Sequence, residues 1–151
     1  MKYIGVDPGI STGIAVIEIQ TDYPPVLTHS ITLMDTNWKT VWKELDSLVN
    51  DGYDYEAMVE DFHGGVGGKI QNTVNQIIGA SLVTLSRDYG TVQSQENVKR
   101  TPWIDEARRI LKTYYTGEVT PHQIDALAHA LSIAKPERGL VWECDNNHGE
   151  D

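Results

Sequence analysis

The chain has 151 residues, enough for one domain with a substantial core and too few for two ordinary ones. Its single cysteine excludes an internal disulfide and a cysteine zinc cage, which favours a reducing, cytoplasmic environment. The formal net charge of −10 weighs against a polyanionic partner, because lysine and arginine supply most of the affinity for phosphates. No apolar run approaches the roughly 20 residues that span a membrane, so we expect no leader and no membrane partner.

The charge is distributed unevenly along the chain. Between positions 63 and 112, seven basic residues stand against four acidic ones, a net charge of +3. The remaining acidity includes Glu143, Asp145, Glu150 and Asp151, and carboxylates whose charge a cation would offset. The uneven distribution keeps a nucleic-acid partner open beside the plainer interpretation of an ordinary acidic protein.

The first sixty residues predict three antiparallel strands, a helix and a fourth strand. Turn residues separate three strand-like runs, at residues 2–7, 13–20 and 27–33. Apolar residues at helical spacing from Trp38 to Val49 predict the helix, and the run from Tyr55 to Glu60 predicts the next strand. This order indicates a helix that crosses over to a parallel strand.

The second half predicts three helices around one short strand. An apolar stripe after a glycine-rich loop predicts a long helix over residues 69–88, and residues 91–94 form a strand-like run. Pro102 and Pro121 each follow a threonine, the arrangement of an N-cap before proline at the first helical position. The second of these also matches a capping box.

The end of the chain differs in character from the rest. Residues 138–151 lose hydrophobic periodicity and gain charge, so we expect a folded domain over residues 1–137 and a flexible acidic tail after it. The predicted element order, βββαβαβαα, belongs to the α/β class.

Four side chains stand where an α/β sheet builds a site. Asp7 and Glu60 each end a strand-like apolar run, and His122 and Asp125 lie three residues apart at the start of the last helix. Each has a plainer explanation. Asp7 fits the start of a turn, Glu60 a solvated strand end, and polar side chains are ordinary in a first helical turn.

The segments IGVDPGISTGIAVIE, VEDF and HQIDALAHALSIA resemble, in the same order, signature segments of the RuvC-type Holliday junction resolvases of the ribonuclease H-like superfamily. The resemblance covers about residues 1–20, 55–86 and 120–134. It implies a five-stranded mixed sheet, three antiparallel strands followed by parallel ones, flanked by helices. It also implies a crossover junction endodeoxyribonuclease of DNA recombination and repair, whose paired symmetric nicks leave 5′-phosphate and 3′-hydroxyl ends.

The resemblance also implies a metal site. Asp7, Glu60 and Asp125 correspond to carboxylate ligands of the family, and His122 stands where many relatives carry another aspartate. Two Mg²⁺ or Mn²⁺ ions per active site are implied, with Asp7 bridging both, Glu60 on one, and His122 and Asp125 on the other. Two-metal hydrolysis needs cations about 3.5–4 Å apart. His129, four residues after Asp125, could support this site, although the expected role of such a histidine is packing or surface exposure.

DNA-binding residues are implied less directly. Phe62 lies where relatives carry an aromatic side chain near the junction, with a core residue as the equal alternative. Lys99 resembles a DNA-contacting lysine of the family. Lys69, Arg100 and Arg108 could neutralise phosphates nearby, with a solvated surface charge as the alternative for each. After Lys99 the sequence departs from the family pattern, because the usual loop with a second lysine is shortened.

The implied partner is branched DNA in the form of a four-way junction. Two symmetric cuts need two active sites, which implies a two-fold homodimer. The family dimerises through the helix after the glutamate strand, which corresponds here to residues 69–88. The small size suits a bacteriophage or minimal bacterial version.

Other functions fit parts of the same sequence. DPGISTG also resembles the phosphate loop of sugar kinases and actin-like ATPases, but those proteins duplicate the domain and 151 residues supply one copy. A non-catalytic DNA-binding relative would have no need of the complete ligand set. A ribonuclease H-like nuclease that acts on other branched DNA or on RNA fits the same residues.

Overall fold

The computed structural model describes residues 1–61, 68–87, 89–95 and 101–145. The strands are β1 (Lys2–Asp7), β2 (Thr12–Glu18), β3 (Val26–Leu33), β4 (Tyr55–Glu60), β5 (Gly90–Gln95) and β6 (Glu143–Cys144). The helices are α1 (Trp38–Val49), α2 (Lys69–Leu85), α3 (Pro102–Tyr114) and α4 (Pro121–Ala134). Within these ranges, no helix combines the length and apolar character needed to cross a membrane.

All six strands form one mixed sheet in the order β5-β4-β1-β2-β3-β6. β2 pairs antiparallel with both β1 and β3, whereas β4 pairs parallel with β1 and with β5. This arrangement confirms the predicted fold class, with three antiparallel strands leading into parallel ones. The predicted number of five strands is corrected to six, because β6 pairs parallel with the outer edge of β3.

Alternation along the strands divides the core into two layers. Ile4 and Val6 of β1 pack with α1 and α2, whereas Tyr3 of the same strand packs with α3 and α4. Since successive side chains of a strand point to opposite faces, Gly5 and Asp7 belong to the layer under α3 and α4. The candidate site therefore forms on that face.

Residues 138–145 pack against the domain, which corrects the prediction of a loose tail from residue 138. Trp142 is 3 % exposed and belongs to the core under α3 and α4, and β6 follows it. Burying one large aromatic side chain offsets part of the entropy lost in ordering a short segment. A two-residue strand is too short to show a hydrophobic period. The prediction of a loose tail therefore depended on the charged residues of this segment. Residues 146–151 lie outside the described residues.

Polar contacts with α3 hold the same segment in place. Glu106, buried on α3, binds the guanidinium of Arg109 at 2.6 Å and accepts a hydrogen bond from the backbone N–H of Gly139 at 2.8 Å. Arg109 in turn donates to the carbonyl of Leu140 at 2.9 Å. The folded domain thus continues to at least residue 145.

Candidate metal centre

Asp7 and Glu60 end neighbouring parallel strands at the same edge of the sheet. β1 and β4 pair residue by residue up to Val6 opposite Val59, so the register, continued by one position, sets Asp7 beside Glu60. Side chains at paired positions of parallel strands project from the same face, here the face that α4 covers. Asp7 is buried and the Glu60 side chain is 14 % exposed. The structure therefore brings these two predicted site residues together, although 52 intervening residues separate them in the sequence.

Two glycines let α4 lie directly on β1 and β2. A Cβ atom added to Gly5 would be 1.9 Å from the carbonyl oxygen of Ala126, and one added to Gly13 would be 2.1 Å from the carbonyl oxygen of His122. Both distances are far below van der Waals contact, so a residue with a Cβ does not fit unless the backbone shifts. This close seat brings the first turn of α4 within side-chain reach of β1.

Hydrogen bonds fix the first turn of α4 against β3. The Thr120 hydroxyl accepts from the backbone N–H of Gln123, whose side-chain oxygen accepts from the Thr120 N–H at 2.7 Å, which confirms the predicted capping box. The Gln123 amide nitrogen also donates to the Ser30 hydroxyl at 3.2 Å. The hydroxyls of Thr120 and Thr32 are 2.6 Å apart. These contacts hold the N-terminal turn of α4 against β3.

The imidazole of His122 contacts Asp7 directly. Its Nδ1 atom is 3.1 Å from Oδ2 of Asp7, and its side chain is partly exposed at the edge of the sheet. Asp125 follows almost one turn later on the same helical face and lines a cavity of about 470 Å³ together with Arg108. The structure therefore joins His122 to Asp7 and places Asp125 nearby along α4.

His129 also lies next to the site. From the sequence, its expected role was packing or surface exposure. It is fully buried, as a packing residue would be, yet its Nε2 atom lies 3.4 Å from Oε1 of Glu60. Its spacing of four residues from Asp125 was the available signal, since that spacing puts two side chains on one helical face. The same spacing is equally typical of core packing, and the sequence contained nothing to separate the two.

The donor chemistry fits a divalent cation, although the donors are not gathered into a compact cluster. Carboxylate oxygens suit Mg²⁺ and Mn²⁺, and imidazole nitrogen suits Mn²⁺ better than Mg²⁺. In the part of the chain that the structure describes, no three His, Cys, Asp or Glu side chains lie close enough together to hold one ion. The site contains instead two contacts between a histidine and a carboxylate, Asp7 with His122 and Glu60 with His129.

Of the predicted DNA-binding residues, Arg108 is the one that can be described fully. It is exposed on α3, with its guanidinium 3.2 Å from Asp105, and it borders the cavity beside Asp125. Lys69 begins α2, and its side chain lies outside the described part of the structure. The remaining predicted contacts also lie outside the described residues: Phe62, Lys99 and Arg100.

Ion pairs neutralise part of the positive charge in the middle of the chain. Arg87 pairs with Asp46, and Arg109 pairs with the buried Glu106, which fixes it to α3 and the C-terminal segment. Arg108 forms an exposed pair, and such pairs stabilise a protein by at most about 1 kcal/mol. Arg108 can therefore exchange Asp105 for a phosphate at a small cost in free energy. Arg109 cannot do so without losing its contacts with Glu106 and the Leu140 carbonyl.

Neither a protein-family model nor a curated protein matches the sequence. Solved structures match it by fold. RuvC from Thermus thermophilus gives a TM-score of 0.68 at 19 % identity, over 89 % of this chain and 93 % of that one. The complex of fowlpox virus resolvase with its substrate Holliday junction DNA gives 0.56 at 14 % identity, over 88 % and 98 %. The yeast mitochondrial Holliday junction resolvase Ydc2 gives 0.56 at 9 % identity, over 85 % and 76 %.

These identities are low, so what the matches establish is the architecture. They extend over most of this chain and most of each matched chain, which places the shared core and the site face within one common fold. The chain has the ribonuclease H-like fold found in RuvC and other Holliday junction resolvases.

Proposed function

We propose that this protein is a structure-selective endonuclease that resolves four-way DNA junctions by metal-dependent hydrolysis of phosphodiester bonds. The observation that carries the proposal is the position of Asp7 beside Glu60 at one edge of the sheet, with the His122 imidazole in contact with Asp7. The resolvase fold supports it, because T. thermophilus RuvC and the fowlpox resolvase are both described in complex with Holliday junction DNA. The expected products are paired symmetric nicks with 5′-phosphate and 3′-hydroxyl ends.

The charge balance of the site favours a cation. Two weakly solvated carboxylates on neighbouring strands repel each other, and burial adds to the cost of keeping both ionised. A histidine compensates a carboxylate fully only when the imidazole is protonated, whereas a divalent cation does so at any pH where the carboxylates are ionised. We propose two Mg²⁺ or Mn²⁺ ions per site, which would activate water and stabilise the leaving oxygen.

Each site residue has a separate part in this proposal. Asp7 and Glu60 would bind the cations from the sheet side of the reacting phosphate. His122 and Asp125 would bind them from the side of α4. Residues held by strands and by a capped helix keep their geometry better than residues on loops. Arg108 lines the same cavity as Asp125, and we propose that it binds a neighbouring phosphate of the cut strand.

A cleavage assay tests the substrate. Purified protein is incubated with a labelled four-way junction, a linear duplex of the same sequence or an RNA–DNA hybrid, in Mg²⁺, Mn²⁺ or EDTA. We expect symmetric junction cuts that require the cation and are at least about 100-fold faster than duplex cuts. Mn²⁺ is expected to support the faster reaction because imidazole is among the donors.

The alternatives give different results in the same assay. Equal rates of cleavage of duplex and junction would support a nuclease and contradict a junction resolvase. Preference for the hybrid would indicate an RNA substrate. ATP hydrolysis in a parallel phosphate-release assay, without DNA cleavage, would contradict the proposal in favour of the phosphate-loop interpretation.

We also propose a two-fold homodimer that forms through a groove between α1 and α2. Trp38, Trp42 and Val83 are 42 %, 43 % and 76 % exposed, and they line this α1/α2 groove of about 680 Å³ together with Gly79 and Ala80. Clustered exposed apolar side chains mark interaction surfaces, and small residues permit close helix packing. Two symmetric cuts require a partner of the kind this surface would accept.

Trp42→Glu is expected to convert the dimer into a monomer, because it places a charge in the apolar interface. The sedimentation coefficient should fall to the monomer value. At concentrations where both proteins are monomeric, the variant and the wild type should have the same thermal stability. Tyr53→Glu is the matched control, since Tyr53 is an exposed aromatic residue outside the α1/α2 groove. A wild-type protein that is monomeric at micromolar concentration would contradict the proposed dimer.

A further inference from the structure

A buried imidazole in the layer between α4 and the sheet requires a physical reason. His129 is fully buried, and its neighbours along α4, Ala128 and Ala130, are buried and apolar. Removing a polar side chain from water costs free energy that hydrogen bonds or charges must offset. A leucine at this position would fill a similar volume without that cost. The imidazole is therefore expected to do something that packing alone does not demand.

The contact with Glu60 identifies that task. The Nε2 atom of His129 lies 3.4 Å from Oε1 of Glu60, at the end of β4. The backbone of α4 beside His129 is held against β1, since Ala126 and Ala130 both meet Gly5 there. The His129 imidazole thus extends from a part of α4 whose backbone is in close contact with β1. It approaches the carboxylate from the interior of the protein.

We propose that His129 is a positioning residue that fixes the orientation of the Glu60 carboxylate toward a divalent cation. This inference rests on the proposed function and adds a residue to it. The 3.4 Å contact sets Nε2 of His129 next to Oε1 of Glu60, so the imidazole limits the rotation of this flexible side chain by packing and by electrostatic attraction. Groups that orient metal ligands commonly change metal affinity or activity by about 10–100-fold when removed.

The chain contains a second pair of the same kind outside the site. His29 of β3 and Glu44 of α1 contact each other at 3.0 Å between Nε2 and Oε1. A hydrogen bond from His29 lowers the pKa of Glu44 below its ordinary value. This pair packs on the opposite face of the sheet, because His29 lies opposite Val16 in the layer of α1 and α2. It provides an internal control for the loss of a histidine next to a glutamate.

Two substitutions separate positioning from packing. His129→Leu keeps the volume and removes the nitrogen, and His129→Gln keeps a side-chain N–H. Mn²⁺ affinity is measured by calorimetry without DNA, next to thermal stability and the cleavage rate. We expect His129→Leu to weaken Mn²⁺ binding about 10–100-fold without loss of thermal stability, and His129→Gln to restore part of it. His29→Leu should leave Mn²⁺ affinity unchanged.

A measurement on the wild-type protein covers variants that fail to fold. The ¹⁵N imidazole resonance of His129 is expected to shift as Mg²⁺ is added, and this shift should be absent in Glu60→Gln. The resonance of His29 should not move. A His129 resonance that stays fixed at saturating Mg²⁺ would overturn the positioning role.

The outcomes also distinguish this inference from the proposed function. Unaltered Mn²⁺ affinity in a folded His129→Leu protein would overturn the positioning role alone. Suppose that His129→Leu weakens Mn²⁺ affinity and that the wild-type protein cuts no junction. This result would support the positioning role and overturn the resolvase proposal. A wild-type protein that binds no divalent cation would overturn both.

Discussion

Asp7→Asn is expected to abolish junction cleavage while the fold and DNA binding persist. The substitution keeps the shape of a buried side chain and removes the charge that meets His122 and neighbours Glu60. Loss of a charged group that stabilises a transition state commonly costs about 100–1000-fold in rate, and loss of a shared metal ligand belongs at the upper end. Single-turnover cleavage with excess protein measures the chemical step, and a gel-shift assay with the junction in EDTA measures binding.

Asp54→Asn is the matched control for Asp7→Asn. Asp54 is exposed just before β4, at the opposite end of that strand from Glu60, so its loss should leave the rate unchanged. Thermal stability of Asp7→Asn should equal or exceed that of the wild type, because neutralising one of two neighbouring carboxylates relieves repulsion. Cleavage by Asp7→Asn within about tenfold of the wild type would remove Asp7 from the chemistry.

Gly5→Ala is expected to lower the free energy of unfolding strongly. The new Cβ atom would lie 1.9 Å from the Ala126 carbonyl oxygen and 2.7 Å from the Ala130 backbone nitrogen. Both are backbone atoms of α4, so the helix must move away from β1. Overpacking typically costs about 1–3 kcal/mol, and a clash with backbone atoms belongs at the upper end, which urea unfolding would measure.

Gly79→Ala is the matched control for Gly5→Ala. An added Cβ at Gly79 would have nothing within 4 Å, and the residue lies inside α2. Alanine is favoured over glycine inside a helix by roughly 0.5–1 kcal/mol, so this variant should gain stability. It is compared only in unfolding, since Gly79 borders the α1/α2 groove. Equal unfolding free energies for the two variants would show that α4 is not rigidly seated.

Much of the site was predictable because its signals are local. Asp7 and Glu60 end strands whose apolar runs are short and bounded by turns, and the capping box marks the start of the helix that carries His122. The parallel pairing of β1 with β4 then sets Asp7 beside Glu60. The resemblance then selected these strand ends as candidate metal ligands.

The parts that sequence did not predict depend on contacts between distant segments. Trp142 is one aromatic residue in a charged stretch, and its burial depends on α3 and on the edge of β3, which no local pattern describes. His129 has the helical spacing of a core residue, and its contact with Glu60 depends on how α4 crosses the sheet. In both cases tertiary packing decided the outcome where local pattern was neutral.

The acidic segment at β6 also protects an exposed edge of the sheet. The backbone N–H groups of Glu143 and Asp145 donate to the carbonyls of Pro25 and Leu27 at 3.0 and 2.9 Å. An outer strand with open backbone groups is a template for pairing with other chains, and charged side chains discourage such pairing. Two short hydrogen bonds and two carboxylates thus cover part of the β3 edge, so a chain that ended at residue 137 would expose a strand prone to aggregation.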